Sequence, residues 1–190
     1  MRRYLARTAV LGCALAGLIA AAGCSSGSGS EAESSWAPAL GSGVTVQAPA
    51  QVSAGTGSPA AAVQGVITAV SSGQYALECN YVEPSEQATC KTGAAAFNAS
   101  DSPSFKNTKM GYVAIDGAKA LVGATGTFCV PNANPECYTN SDPAAIFSTQ
   151  KSFSTLWTQT NSSSSTSTNA YALVPCVEVS GHWYVYSPSS

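Results

Sequence analysis

The chain has 190 residues, of which only 9% are charged and 45% hydrophobic, with seven cysteines and one histidine. All three arginines, Arg2, Arg3 and Arg7, lie at the extreme N-terminus, so from residue 24 onward five lysines face ten acids, a formal charge of −5. An acidic surface without a basic cluster excludes nucleic acid and anionic lipid as specific partners.

In chain order, the first element is a charged segment, Met1 to Arg7, followed by an apolar run from Ala9 to Ala22. That run is short of the roughly 20 residues a membrane span needs. A basic start, a short apolar stretch and small residues before a cut site form a secretory signal, here residues 1–23. Ala21-Ala22-Gly23-Cys24 resembles the lipobox of bacterial lipoproteins, with Ala21 where that pattern prefers Leu. The resemblance implies cleavage before Cys24 and a diacylglyceryl lipid on its thiol. Two acyl chains anchor stably where one is marginal. Arg2-Arg3-Tyr4-Leu5 also resembles a twin-arginine export signal, which leaves the export route open.

Residues 24–57 are Ser, Gly, Ala and Pro with isolated apolar residues and no sustained period, and they are expected to form a flexible tether with Trp36 in a loose surface contact. Such a chain has an r.m.s. reach of about 30 Å. The remainder, 58–190, suits one domain. Ser58-Pro59 is a helix start, and Val63, Val66, Ile67 and Val70 form one stripe at helical spacing that ends at Ser72-Gly73. Short helices are predicted from Gln74 to Tyr81 and from Pro84 to Phe97.

The period then changes. Met110 to Ile115 and Ala118 to Val130 are predicted strands around a turn at Asp116-Gly117, with Gly123 and Gly126 marking bulges or curvature. A long insertion, 131–169, follows. Asp142-Pro143 can start one helical turn through Ile146 and Phe147, and Ser152 can cap another carrying Phe153, Leu156 and Trp157. Asn161 to Thr168 is a Ser/Thr loop, and Tyr171 to Val179 and His182 to Tyr186 are two strands around Ser180-Gly181.

Cys13 leaves with the signal and Cys24 takes lipid, so five cysteines remain in a compartment where thiols pair. The expected disulfides are the local pairs Cys79–Cys90 and Cys129–Cys137, with Cys129–Cys176 as the rival. No Cys-x-x-Cys occurs and His182 stands alone, so neither a metal site nor a cofactor is expected. Asp116 reads as a turn residue, Asp142 as a helix cap and Asp101 as a loop residue. Glu78 and Glu86 read as solvated helix residues, and His182 as an exposed turn residue. Glu178, on a strand, is the acid least explained by structure alone. Tyr75, Tyr81, Tyr112 and Trp183 are the candidate pocket residues, with core packing as their alternative.

Helices followed by an antiparallel sheet closed by a terminal hairpin is an α+β pattern. Pro175-Cys176-Val177-Glu178-Val179-Ser180-Gly181-His182-Trp183-Tyr184-Val185 resembles the closing hairpin of NTF2-like domains, the superfamily that includes SnoaL-like and ketosteroid-isomerase-like proteins. The resemblance covers residues 58–186 and rests mainly on element order. It implies a cone, in which a curved sheet wraps the first helix, and the layout is similar to that of secreted actinobacterial lipoproteins. Enzymes of that superfamily use an Asp base, sometimes with His or Tyr, inside the cone, and the aspartates here sit elsewhere in the pattern. The expected function is therefore non-catalytic binding of a small apolar ligand or a protein partner at the cell envelope. The alternatives are a SnoaL-like cyclase, isomerase or dehydratase, or a structural envelope protein. In similar domains the outer sheet face meets a second subunit, so Cys176 is expected to be either a buried thiol or a contact in a homodimer.

Overall fold

The computed structural model describes residues 35–96, 103–130, 136–142, 144–161 and 173–186. The expected signal, Cys24, Asp101, Pro143, the Ser/Thr loop from 162 to 168 and Tyr171 lie outside them. The fold is α+β. A six-stranded antiparallel sheet has the order β1-β2-β3-β5-β6, with β4 also paired to β3. Its strands are β1 (Thr45–Gln47), β2 (Ser104–Asp116), β3 (Lys119–Val130), β4 (Glu136–Asn140), β5 (Leu173–Val179) and β6 (His182–Val185). No helix among the described residues is long and apolar enough to cross a membrane.

Helix α1 (Pro59–Ser71) starts where the sequence places it. Ser58 Oγ accepts the Ala61 N–H at 3.2 Å, and proline occupies the first turn, where its missing N–H costs nothing. The helix ends in a Schellman motif. Gln74 N–H reaches Ala69 O at 2.9 Å and Gly73 N–H reaches Val70 O at 3.0 Å, with Gly73 at φ +71°, a conformation that favours glycine. Helices α2 (Tyr75–Glu78) and α3 (Gln87–Ala96) follow and are joined by the disulfide Cys79–Cys90. Helix α4 (Phe153–Asn161) lies between β4 and β5. Ser152 Oγ accepts the Thr155 N–H at 3.3 Å at its start, and Phe153 and Leu156 are buried.

The β2–β3 and β5–β6 hairpins each turn on two residues. Asp116 pairs with Lys119, so the first loop is Gly117-Ala118, one residue later than the sequence reading placed it, and Gly117 takes φ +57°. Val179 pairs with His182, and Ser180 and Gly181 both take positive φ, the requirement of a type I′ turn. Pro175 sits inside the central strand β5. Its nitrogen and oxygen point to the same edge, where its carbonyl accepts from Tyr186 N–H, one residue past the end of β6. The missing donor therefore falls where the neighbouring strand has run out.

The sheet is buried on both faces. On β3, Ala120 and Val122 point one way and Leu121 the other, and all three are fully buried. One face packs on α1 through Val63, Ile67, Met110, Val113 and Cys176. The other packs on Trp36, Leu40, Ile146, Phe147, Phe153 and Leu156. Strand β2 serves both faces because it carries an extra residue between Met110 and Val113, which puts those two on the same side with Tyr112 and Ala114 opposite.

One expectation is corrected here. Residues 35–57 are not a tether: Trp36 and Leu40 are each 2% exposed, β1 pairs with β2 from Thr45↔Ile115 to Gln47↔Val113, and Thr56 O accepts the Trp183 N–H at 2.8 Å. The apolar residues of this stretch are too sparse to show a period, yet each is used singly. The sheet face away from α1 is covered by the chain's own N-terminal segment and by the connection from β4 to α4. Cys176 is free, lies on the α1 face and is fully buried, its thiol 3.8 Å from Pro59 O, so it cannot meet another chain without opening the core.

Candidate functional site

A cleft of about 480 Å³ opens where the sheet forks. Strand β3 is longer than either neighbour on its free edge. Strand β5 pairs with it as far as Leu173↔Gly123, and β4 begins at Asn140↔Gly126. Between them Ala124 and Thr125 have no strand partner on that edge among the described residues. Asn140 closes part of the gap by donating its side-chain N–H to Ala124 O at 2.8 Å.

A bulge shapes the floor. Lys106 pairs with Thr127 and Lys109 with Thr125, so β2 has one residue more than β3 in this interval. Asn107 takes φ +54° and Gly126 φ +114° to absorb it. A Cβ at Gly126 would come within 2.8 Å of Lys106 O and 2.9 Å of Asn107 O, so the two backbones can approach this closely only at glycine. The disulfide Cys129–Cys137 ties β3 to β4 just beyond, across a directly opposed pair with Cα atoms 4.0 Å apart. The fork is therefore held by one covalent bond, one side-chain amide and one obligatory glycine.

The walls are of two kinds. Val63, Val66 and Ile67 from α1, with Phe105 and Phe128 packed on each other at 5.1 Å, make the apolar side. Thr125, Thr127, Thr139, Asn140 and Thr149 make the polar side. Among the described residues, no Asp, Glu, Lys, Arg or His lines the cleft. The wall's one cysteine, Cys137, is in a disulfide. Thr108 also lines the cleft, and its hydroxyl is buried without a hydrogen-bond partner. Chemically the cleft can desolvate an apolar group and hydrogen-bond a polar one. It presents no side chain suited to carry a proton near neutral pH.

None of the four candidate pocket residues lines this cleft. Tyr112 is buried on the opposite sheet face, edge-on to Trp36 at 5.1 Å. The ring of Tyr81 lies over Gly65 of α1. Tyr75 opens α2 half-buried, and Trp183 is half-buried against the α1-side core. These four aromatic residues lie outside the cleft, which is built instead from threonines, valines and the pair Phe105–Phe128 at a strand fork. The alternation Thr125, Thr127 was visible in the sequence, but nothing there revealed that β4 would return to the same edge of β3 as β5.

The acids fall outside the cleft as well. Glu178 is exposed on β5, and Asp142 caps its turn by accepting the Ala144 N–H at 2.8 Å. His182 is exposed, with Nδ1 3.2 Å from Thr56 Oγ1. Glu78 lies beside Cys79 and Cys90, and burial raises its carboxyl above the ordinary value; both sulfurs are in the disulfide, so the trio offers no thiolate to a metal. The pairs Cys79–Cys90 and Cys129–Cys137 are the local ones, and the rival pairing of Cys129 with Cys176 is absent. No family model matches the chain, and neither does any curated protein or solved structure.

Proposed function

We propose that this chain is an exported bacterial lipoprotein, anchored to a membrane through lipid on Cys24, whose domain binds a small apolar ligand in the cleft at the β3 fork. On this reading the domain is an NTF2-like cone, with the stretch from β4 to α4 as a long insertion. The observation that carries the binding role is the cleft itself. Its volume of about 480 Å³ falls in the range of small-molecule sites, which run roughly 300–1,000 Å³, and its walls are apolar with a few polar groups. The two disulfides favour an oxidising compartment, as export requires. Ten residues, 25–34, separate Cys24 from the packed chain, so even fully extended they span no more than about 36 Å and keep the domain near the lipid surface. A SnoaL-like enzyme fits less well, because its base would have to come from a wall that, among the described residues, carries no carboxylate or imidazole. Docking of an envelope protein or a second copy is the reading left if the cleft takes no ligand.

Two measurements test this. Cys24→Ala should leave the precursor uncleaved by lipoprotein signal peptidase and release any processed form from the membrane fraction, and unchanged retention together with unchanged mobility refutes the anchor. Native mass spectrometry of the protein extracted from its membrane should show a small apolar adduct, and Val66→Trp, which fills the cleft from α1, should remove it. An adduct that survives Val66→Trp places the ligand elsewhere.

A further inference from the structure

Resting on that reading of the cleft, we infer that its ligand is uncharged, with an apolar body and a hydroxyl head. The charge argument comes first. A full charge brought into an apolar site without a partner carries a large desolvation penalty. Among the described residues no ionic side chain on the cleft wall can offset it, and Lys106 and Lys109, the basic residues nearest in register, lie outside the lining.

The hydrogen-bond argument narrows the head group. A threonine hydroxyl has one hydrogen and two lone pairs. Thr125 spends its hydrogen on Lys109 O at 3.4 Å, and Thr149 spends its own on Ile146 O at 2.9 Å. Thr127 and Thr139 share one hydrogen between oxygens 3.0 Å apart. Asn140 has committed one N–H to Ala124 O, and its carbonyl oxygen already accepts the Asp142 N–H at 3.3 Å. What this side of the cleft has left is lone pairs beside a few hydrogens, the second Asn140 N–H and one hydroxyl hydrogen of the Thr127–Thr139 pair, so it suits a head that both donates and accepts. A carboxylate or phosphate head, which only accepts, would leave those lone pairs unmatched. The Thr108 hydroxyl, buried and unpartnered, favours a head that can also accept. An alcohol does both. The valines of α1 and the pair Phe105–Phe128 then take the apolar body.

The test compares three probes of equal chain length, decan-1-ol, decanoate and decylammonium, by titration calorimetry on the exported chain below micelle formation. Decan-1-ol should bind at least tenfold more tightly than either ion. Equal or tighter binding of either ion overturns the inference and leaves the cleft standing as an apolar site. If none of the three binds to protein shown folded by its thermal transition, the ligand-binding reading itself falls, and the inference with it. Val66→Lys, which places a cation on the wall, should raise decanoate affinity at least tenfold. No gain in that variant shows that the alcohol sits outside the cleft and overturns the assignment of the head group to this wall.

Discussion

Trp36 stacks on Phe147, with ring centroids 5.1 Å apart and planes inclined by 18°. The pair joins the N-terminal segment to the connection between β4 and α4, and together they cover the sheet face that α1 does not reach. Strand β1 has only three residues and depends on this contact for its place on β2.

Trp36→Ala should therefore destabilise the domain by about 3–5 kcal/mol, as expected for a buried aromatic. Trp36→Phe should cost clearly less. It keeps the stacking surface and removes an indole N–H that is buried without a partner. Denaturant unfolding of both variants checks this. A Trp36→Ala protein as stable as the parent would mean that residues 35–47 do not hold the sheet.

That contact also marks the limit of what the sequence shows. Where a local signal acts alone, structure follows it: Ser58-Pro59 starts α1, Gly73 ends it, Ser180-Gly181 turns the last hairpin, and cysteines 11 and 8 positions apart pair. Trp36, Leu40 and Val46 carry no such signal, because a 3-10 turn and a three-residue strand are too short to show a period. Their burial is decided by the far longer β2 and by Phe147, more than a hundred residues away in sequence. The cleft was illegible for the same reason, since it arises from two strands sharing one edge of β3.

Gly65 lies mid-helix, where alanine normally stabilises by about 1 kcal/mol. Here a Cβ would run into the Tyr81 ring. Gly65→Ala should therefore be destabilising in the parent and stabilising in a Tyr81→Ala background. A double-mutant cycle measured by thermal unfolding reads the sign change. The same sign in both backgrounds would show that Tyr81 moves aside freely.

Ser180 holds φ +54° without being glycine. Asparagine tolerates this region better and is favoured ahead of glycine in a type I′ turn. Ser180→Asn should raise stability by up to about 1 kcal/mol, seen as a higher denaturation midpoint at unchanged m-value. A loss would indicate that the serine has a role beyond the turn.

Burial pushes the Cys176 thiol far above the ordinary cysteine range, because the thiolate would be desolvated beneath α1. In the unfolded chain the thiol titrates near 8.5. Below that pH both states hold the proton and Cys176 adds no pH dependence. Above it the unfolded state loses the proton and the native state keeps it, so stability falls as pH rises, by up to about 1.4 kcal/mol per pH unit. The informative quantity is the difference from Cys176→Ala. The variant should start less stable at pH 7 because it leaves a small void, and should lose less stability between pH 9 and 10.5 than the parent. Parallel pH profiles for the two proteins would place the thiol in contact with solvent.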